Sequence, residues 1–317
     1  MVIRVEDGGK FPVSFEVYPP RNLAAAGTLV TTINELATVD PQFISVTFGA
    51  GGSSRRNSID VLSYIRDHTH VEPLAHITCV GHTHAESAEI VREFLAAGIT
   101  SFLALRGDVP AGEQNVGELL GDIRSASELV QLITNVQSER VPWTEAASLG
   151  SSRGRIIDPT PGSVTIAVAA FPNGHPESGS TRRDIDSLLA KEAAGADFAI
   201  TQLFFHADDY FRFVDKARSA GVTMPIIPGI MPITSHSRLM RVVELSGEKE
   251  PSELSITLQV EPDAAVRTRA GVDYAIRLAS DLVAGGAPAI HLYAFNRHDT
   301  VLDVVYGAGL RATTKEN

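Results

Sequence analysis

Phe198-Ala199-Ile200-Thr201-Gln202-Leu203-Phe204-Phe205 is interrupted by polar side chains only at Thr201 and Gln202. A strand with one wet face alternates apolar and polar residues, whereas a strand covered on both faces reads as a nearly continuous apolar run. This stretch therefore reads as a buried strand of a parallel sheet. Seven further runs share its character: Phe11–Pro20, Phe43–Gly49, Glu72–Val80, Ser101–Asp108, Thr165–Pro172, Met224–Ile230 and Ala289–Phe295. Helical patterns separate most of them. In Thr268–Ala284, Val272, Ala275, Ile276, Ala279, Leu282 and Val283 recur at i, i+3, i+4, i+7 spacing, and Gly285-Gly286 ends the pattern. His84–Ala97 places Ala88, Val91, Phe94 and Leu95 on one face, with Gly98 following. Strand–helix alternation in eight repeats predicts an α/β chain folded as a (β/α)8 TIM barrel.

The bulk properties agree. The 317 residues exceed the ~250 of a typical barrel, and no linker or composition break divides them, so a single domain over residues 1–317 is expected. The extra length falls in Gln137–Val164, rich in Ser, Gly, Pro and charge and carrying the one tryptophan, Trp143. It reads as a surface insertion between helix 4 and strand 5, on the barrel face opposite the active site. No apolar stretch approaches the ~20 residues of a membrane span, and the first residues carry no apolar leader. The one cysteine, Cys79, cannot form an internal disulfide, so a reducing, cytoplasmic setting is expected. A net charge of -11 argues against nucleic acid as a partner. An anionic small molecule must then be held by local cations.

Polar residues inside these apolar strands are the candidate site, because barrel active sites are built at the carboxyl ends of the strands. Glu16 stands in Val13-Ser14-Phe15-Glu16-Val17. A buried carboxylate is costly unless paired, and burial favours the protonated form, so Glu16 reads as a general acid or as half of a structural ion pair. His76, in Ala-His-Ile-Thr-Cys, reads equally as a core histidine or a ligand contact. The turn Phe48-Gly49-Ala50-Gly51-Gly52-Ser53-Ser54 can aim backbone N–H groups at an anion or simply join strand to helix. Cys79, His82 and His84 resemble metal ligands in composition but lack a fourth partner at metal-site spacing, so no metal is expected.

Six motifs occur in order: Phe15-Glu16-Val17-Tyr18-Pro19-Pro20, Ser45-Val46-Thr47-Phe48-Gly49-Ala50, Ala104-Leu105-Arg106-Gly107-Asp108, Ile200-Thr201-Gln202-Leu203-Phe204-Phe205, Pro228-Gly229-Ile230-Met231-Pro232 and Phe295-Asn296-Arg297. Together they resemble the single-domain bacterial type of the 5,10-methylenetetrahydrofolate reductase family. The resemblance implies a barrel enzyme that reduces methylenetetrahydrofolate to 5-methyltetrahydrofolate, normally with FAD relaying hydride from NADH or NADPH. By position it implies Glu16 as the acid that protonates folate N10, a step needed because a ring amine leaves poorly unless protonated. It likewise implies Asp108, Gln202 and Arg297 as substrate contacts.

For the flavin, Thr47, Phe48, His76, Arg106, Gly107, Asp108, His175, Asp184 and Lys191 match family positions. Ser125 and Phe171 stand where tyrosines are usual, Ser187 and Ala190 where asparagine and arginine are, and Val242 where an aromatic is. Loss of a bidentate cation and its polar neighbours predicts weak or absent FAD, with hydride passing directly from NADH to the folate. Alternative readings are a metal-dependent barrel hydrolase using His82 and His84, a folate- or corrinoid-linked methyltransferase barrel, and a folate-binding module without catalysis.

Overall fold

The computed structural model describes residues 10–48, 55–78, 80–107, 121–140, 163–175 and 180–312. In chain order the elements are β1 (Val13–Val17), α1 (Leu23–Ala37), β2 (Phe43–Val46), α2 (Arg55–His68), β3 (Glu72–Thr78), α3 (His84–Ala96), β4 (Ser101–Leu105), α4 (Ala126–Arg140), β5 (Thr165–Ala170), α5 (Thr181–Ala193), β6 (Phe198–Thr201) and α6 (Ala207–Ser219). The last third adds β7 (Ile226–Ile227), β8 (Gly229–Ile230), α7 (His236–Ser246), α8 (Ser252–Val260), α9 (Ala264–Ala284), β9 (Ile290–Tyr293) and α10 (His298–Gly307). All pairings are parallel, in the order β7-β6-β5-β4-β3-β2-β1-β9-β8.

That order is a nearly closed barrel. The run Met224–Ile230, read above as one strand, is split at Pro228, which has no N–H to donate. Its first half pairs with β6 and its second with β9, so one short segment joins both edges of the sheet. Pro228 still accepts a hydrogen bond from the His291 backbone N–H at 2.9 Å. Gly229 is required at this seam. A Cβ there would lie 2.5 Å from the Thr201 carbonyl oxygen and 2.8 Å from the Tyr293 ring. Tyr293 crosses the seam instead, its hydroxyl donating to the Thr201 carbonyl at 2.8 Å.

Strand alternation divides the core. Val13, Phe15 and Val17 of β1 point outward and join Ile44, Ala75, Phe102 and Val168 beneath the helices. Phe43, Leu74, Leu103, Ala167, Phe198, Ile200, Ile227 and Ala289 form a separate cluster filling the barrel interior. Fully burying each large apolar side chain contributes about 1.5–3 kcal/mol. The helical periodicities hold: Ala88, Val91, Phe94 and Leu95 of α3 are buried, as are Val272, Ala275, Ala279 and Leu282 of α9. Thr83 begins α3 with a full capping box to Glu86, and Asp263 caps α9. His84 is thus the first residue of a helix. Of the expected insertion, Gln137–Arg140 complete α4 and residues 141–162 lie outside the described residues. Among the described residues no helix is long and apolar enough to cross a membrane.

Candidate active site

A cavity of about 1140 Å³ opens at the carboxyl ends of the strands. Its floor is set by register. Glu16 lies beside Ser45 on one neighbouring strand and Tyr293 on the other, while Ser14 lies beside His291. Residues two apart on a strand share a face, so Ser14 and Glu16 both point into the barrel. The same alternation brings in His76 from β3 and His291 from β9.

Glu16 is consequently surrounded. The Thr47 hydroxyl, just past β2, donates to its Oε1 at 3.2 Å. His76 Nε2 stands 3.6 Å from Oε2, and His291 Nε2 stands 3.9 Å away. Those separations are too long for good direct hydrogen bonds but short enough for strong charge interaction. His291 is anchored on its far side by Ser14, Oγ to Nδ1 at 2.9 Å, and its ring stacks on Phe43. The imidazoles are 4% and 0% exposed, yet neither Nε2 has a hydrogen-bond partner. Leaving a buried donor or acceptor unmatched costs about 1–3 kcal/mol, so a packed core does not select this arrangement.

The electrostatics correct one expectation. Burial does push Glu16 towards its neutral form, but His76, His291 and Thr47 together outweigh it and hold the carboxyl below its ordinary value. The correction comes from residues distant in sequence that β1 alone cannot reveal. For His76 the chief effect is burial, which lowers its pKa; Glu16 opposes this and His291 adds to it. The hydroxyl of Tyr293 is pushed up, mainly by burial and further by Glu16, and so remains a neutral donor.

One wall carries cations. Asp184, Ser187 and Lys191 share a face of α5 at i, i+3 and i+7, and all three line the cavity. Lys191 is 7% exposed and donates to the Ala169 carbonyl at 2.8 Å. Burial lowers its pKa to about 8, against the pull of Asp184 and with a further push from Arg106. The His175 ring meets Phe171 edge-on at 4.7 Å, and its backbone N–H donates to Asp184 at 3.4 Å. Arg106, Arg124 and Arg183 line the same cavity. Gly107 follows β4 with φ 87, and a Cβ there would lie 2.9 Å from Val80 Cγ2.

Among the expected site residues, Glu16, Thr47, Phe48, His76, Arg106, Gly107, His175, Asp184, Lys191 and Gln202 all line this cavity. Gln202 spends its side-chain oxygen on the Leu203 N–H at 2.9 Å, leaving its amide nitrogen for other partners. Arg297 is not brought to the cavity wall; its guanidinium pairs with Asp299 at 2.7 Å. Asp108, Cys79 and the Gly49–Ser54 turn lie outside the described residues. Ser125 lines the cavity while accepting from the Glu128 N–H at the start of α4, Ala190 is exposed away from it, and Val242 is packed against Leu239 and Leu254. Among the described residues no group of three His, Cys, Asp or Glu side chains is placed to hold a metal ion.

Sequence reading missed His291 and Tyr293. The signal was present in Ile290-His291-Leu292-Tyr293, a histidine in an apolar strand like that which drew notice to His76. The motif Phe295-Asn296-Arg297 was visible in the sequence, but its backbone conformation was not. Phe295 and Asn296 take φ of 49° and 56°, the left-handed region that costs a non-glycine residue about 1–2 kcal/mol. Asn296 offsets this by accepting from the Tyr18 N–H at 2.9 Å and donating to the Tyr18 carbonyl at 2.8 Å.

A parallel barrel whose carboxyl-end cavity sets a carboxylate between two imidazoles, beneath a cationic wall, has the architecture of an α/β-barrel enzyme. The family model described as methylenetetrahydrofolate reductase matches residues 2–309. The 5,10-methylenetetrahydrofolate reductase of Salmonella typhimurium is 32% identical over 308 residues, covering 96% of this chain and 92% of that one. A probable methylenetetrahydrofolate reductase (NADH) of Oryza sativa is 29% identical over 317 residues, 97% of this chain and 50% of its own length. A solved Clostridium thermocellum protein that binds two copies of 5-methyl-5,6,7,8-tetrahydrofolic acid shares the fold with a TM-score of 0.58, at 12% identity over 95% of this chain and 94% of that one. The chain therefore belongs to the methylenetetrahydrofolate reductase family and is an oxidoreductase.

Proposed function

We propose that this chain reduces 5,10-methylenetetrahydrofolate to 5-methyltetrahydrofolate with NADH, and that Glu16 is its proton donor. The observation that carries the reading is Glu16 on the cavity floor, bound by Thr47 and faced by two buried imidazole nitrogens that have no other partner. Protonation at N10 breaks the bond between N10 and the bridging methylene, leaving an N5 iminium. Hydride from NADH then adds to that carbon, giving the methyl group and NAD⁺.

Glu16 is held as a carboxylate in the open cavity, where its side chain is still 22% exposed. A folate seated over it removes that remaining water and raises the cost of the charge, favouring the neutral acid next to N10. The adjacent imidazoles supply a place from which the carboxyl is recharged with a proton. Gln202, with its amide nitrogen uncommitted, suits the acceptor edge of a pterin.

Arg106, Arg124, Arg183 and Lys191 fit the diphosphate of a dinucleotide, which NADH and FAD both carry. If FAD is bound, Thr47, Phe48, His76, Arg106, Gly107, His175, Asp184 and Lys191 are the described residues that would hold it, and it supplies a two-electron relay. Ser125 already caps its own helix and Ala190 is exposed outside the cavity lining, in keeping with the loss of flavin contacts expected at these two positions. The reading adopted is direct transfer, with both substrates present together in a cavity larger than the ~300–1,000 Å³ usual for one small ligand. Absorbance of the purified protein and steady-state kinetics test it. Direct transfer predicts little flavin absorbance and an obligatory ternary complex of NADH and folate. Stoichiometric flavin bleached by NADH alone, with ping-pong kinetics, would contradict it.

A further inference from the structure

Phe295 is an anomaly at the mouth of the cavity. A large aromatic is held in the left-handed region, φ 49, where a bulky residue is a genuine outlier. It is 39% exposed and lines the cavity rather than packing into a core. The surrounding structure holds it in place. The Arg238 guanidinium of α7 lies 5.1 Å from the ring centroid, and Tyr18 meets its edge at 6.3 Å and 71°. The Tyr18 hydroxyl donates to the Phe295 carbonyl at 3.4 Å, and Thr32 donates to the next carbonyl, that of Asn296, at 3.1 Å. A strained, buttressed and exposed aromatic signals a built binding surface. α7 presents Leu245 and Ser246 to the cavity but no aromatic ring, and its Val242 is turned into the cluster with Leu239 and Leu254.

We propose that Phe295 is the platform on which the aminobenzoyl ring of the folate stacks, a role resting on the reduction reading above. The geometry follows from register. Tyr293 lies beside Glu16, and Phe295 follows two residues later in the rim loop beyond the carboxyl end of β9, where it lines the cavity. With Glu16 at N10, the next group outward along the substrate is the aromatic ring that N10 bears. Arg238 backs the platform, and its charge against the ring stiffens the surface.

The test uses Phe295→Leu, which keeps apolar volume and the same backbone requirement, and Phe295→Trp, which keeps a ring. Binding of 5-methyltetrahydrofolate, of 6-methyltetrahydropterin (which lacks the aminobenzoyl arm) and of NADH is measured by calorimetry beside wild-type turnover. The leucine variant is expected to bind 5-methyltetrahydrofolate about tenfold more weakly, as for loss of one aromatic stack. Its affinities for the truncated pterin and for NADH should match wild type, and the tryptophan variant should restore folate affinity to within about twofold. Unchanged folate binding in the leucine variant of an active enzyme would overturn the platform alone, as would equal loss of folate and truncated pterin. Wild-type protein that neither binds nor reduces the folate would overturn the reduction reading and the platform with it.

Discussion

The lower and upper halves of the barrel interior are built by the same strands on opposite principles. Below, Phe43, Leu74, Leu103, Phe198 and Ile227 fill the space with apolar side chains. Above, on the same inward-facing rows, stand Glu16, His76 and His291, with two buried nitrogens unmatched. β1 moves from Ser14 to Glu16 within one alternation, and β9 from Ala289 to His291. The lower layer gains stability by excluding water, whereas the upper layer gives some up, since the Nε2 atoms of His76 and His291 are buried without hydrogen-bond partners and burial disfavours the charged form of His76.

Substitutions should separate the two layers. The largest expected stability effect is in the plug. Phe198→Ala should lower unfolding free energy by about 3–5 kcal/mol, read by denaturant titration. At the cationic wall the sign reverses. Lys191 is charged in the unfolded chain up to about its ordinary pKa of 10.5 but loses its proton near 8 in the fold, so burying its charge costs stability at neutral pH. Lys191→Met should therefore be more stable than wild type below pH 8, by up to about 3 kcal/mol, while weakening dinucleotide binding. The wild-type protein should recover the difference as pH rises from 8 to 10.5, because there the unfolded chain binds the extra proton. Thermal melts across that window check the sign; a gap that widens with pH would show that Lys191 is stabilised as a cation.

Much of this was legible in the chain. The strands were readable because both their faces are buried, and the helices because α3 and α9 keep strict apolar spacing. The split at Pro228 was not, since whether Met224–Ile230 is one strand or two depends on the sheet closing on itself. Glu16, Thr47 and His76 were visible as polar intrusions, while His291 carried the same signal unread. The charge state of Glu16 was beyond a local reading. It is set by His76 and His291, sixty and 275 positions along the chain, and only the barrel brings them together. At Arg297 the structure adds a partner that position alone does not show, the nearby carboxylate of Asp299.

The central claim is that the upper layer exists for proton delivery, and Glu16→Gln tests it most directly because the amide keeps the shape and removes the proton. Turnover of methylenetetrahydrofolate with NADH, folate affinity and unfolding free energy are measured on the same preparation. The account predicts turnover reduced by about 10²–10⁴-fold, folate affinity nearly unchanged, and a stability loss well below that of Phe198→Ala. Near-normal turnover, or a loss of stability as large as that of Phe198→Ala, would show that Glu16 belongs to the scaffold and not to the chemistry.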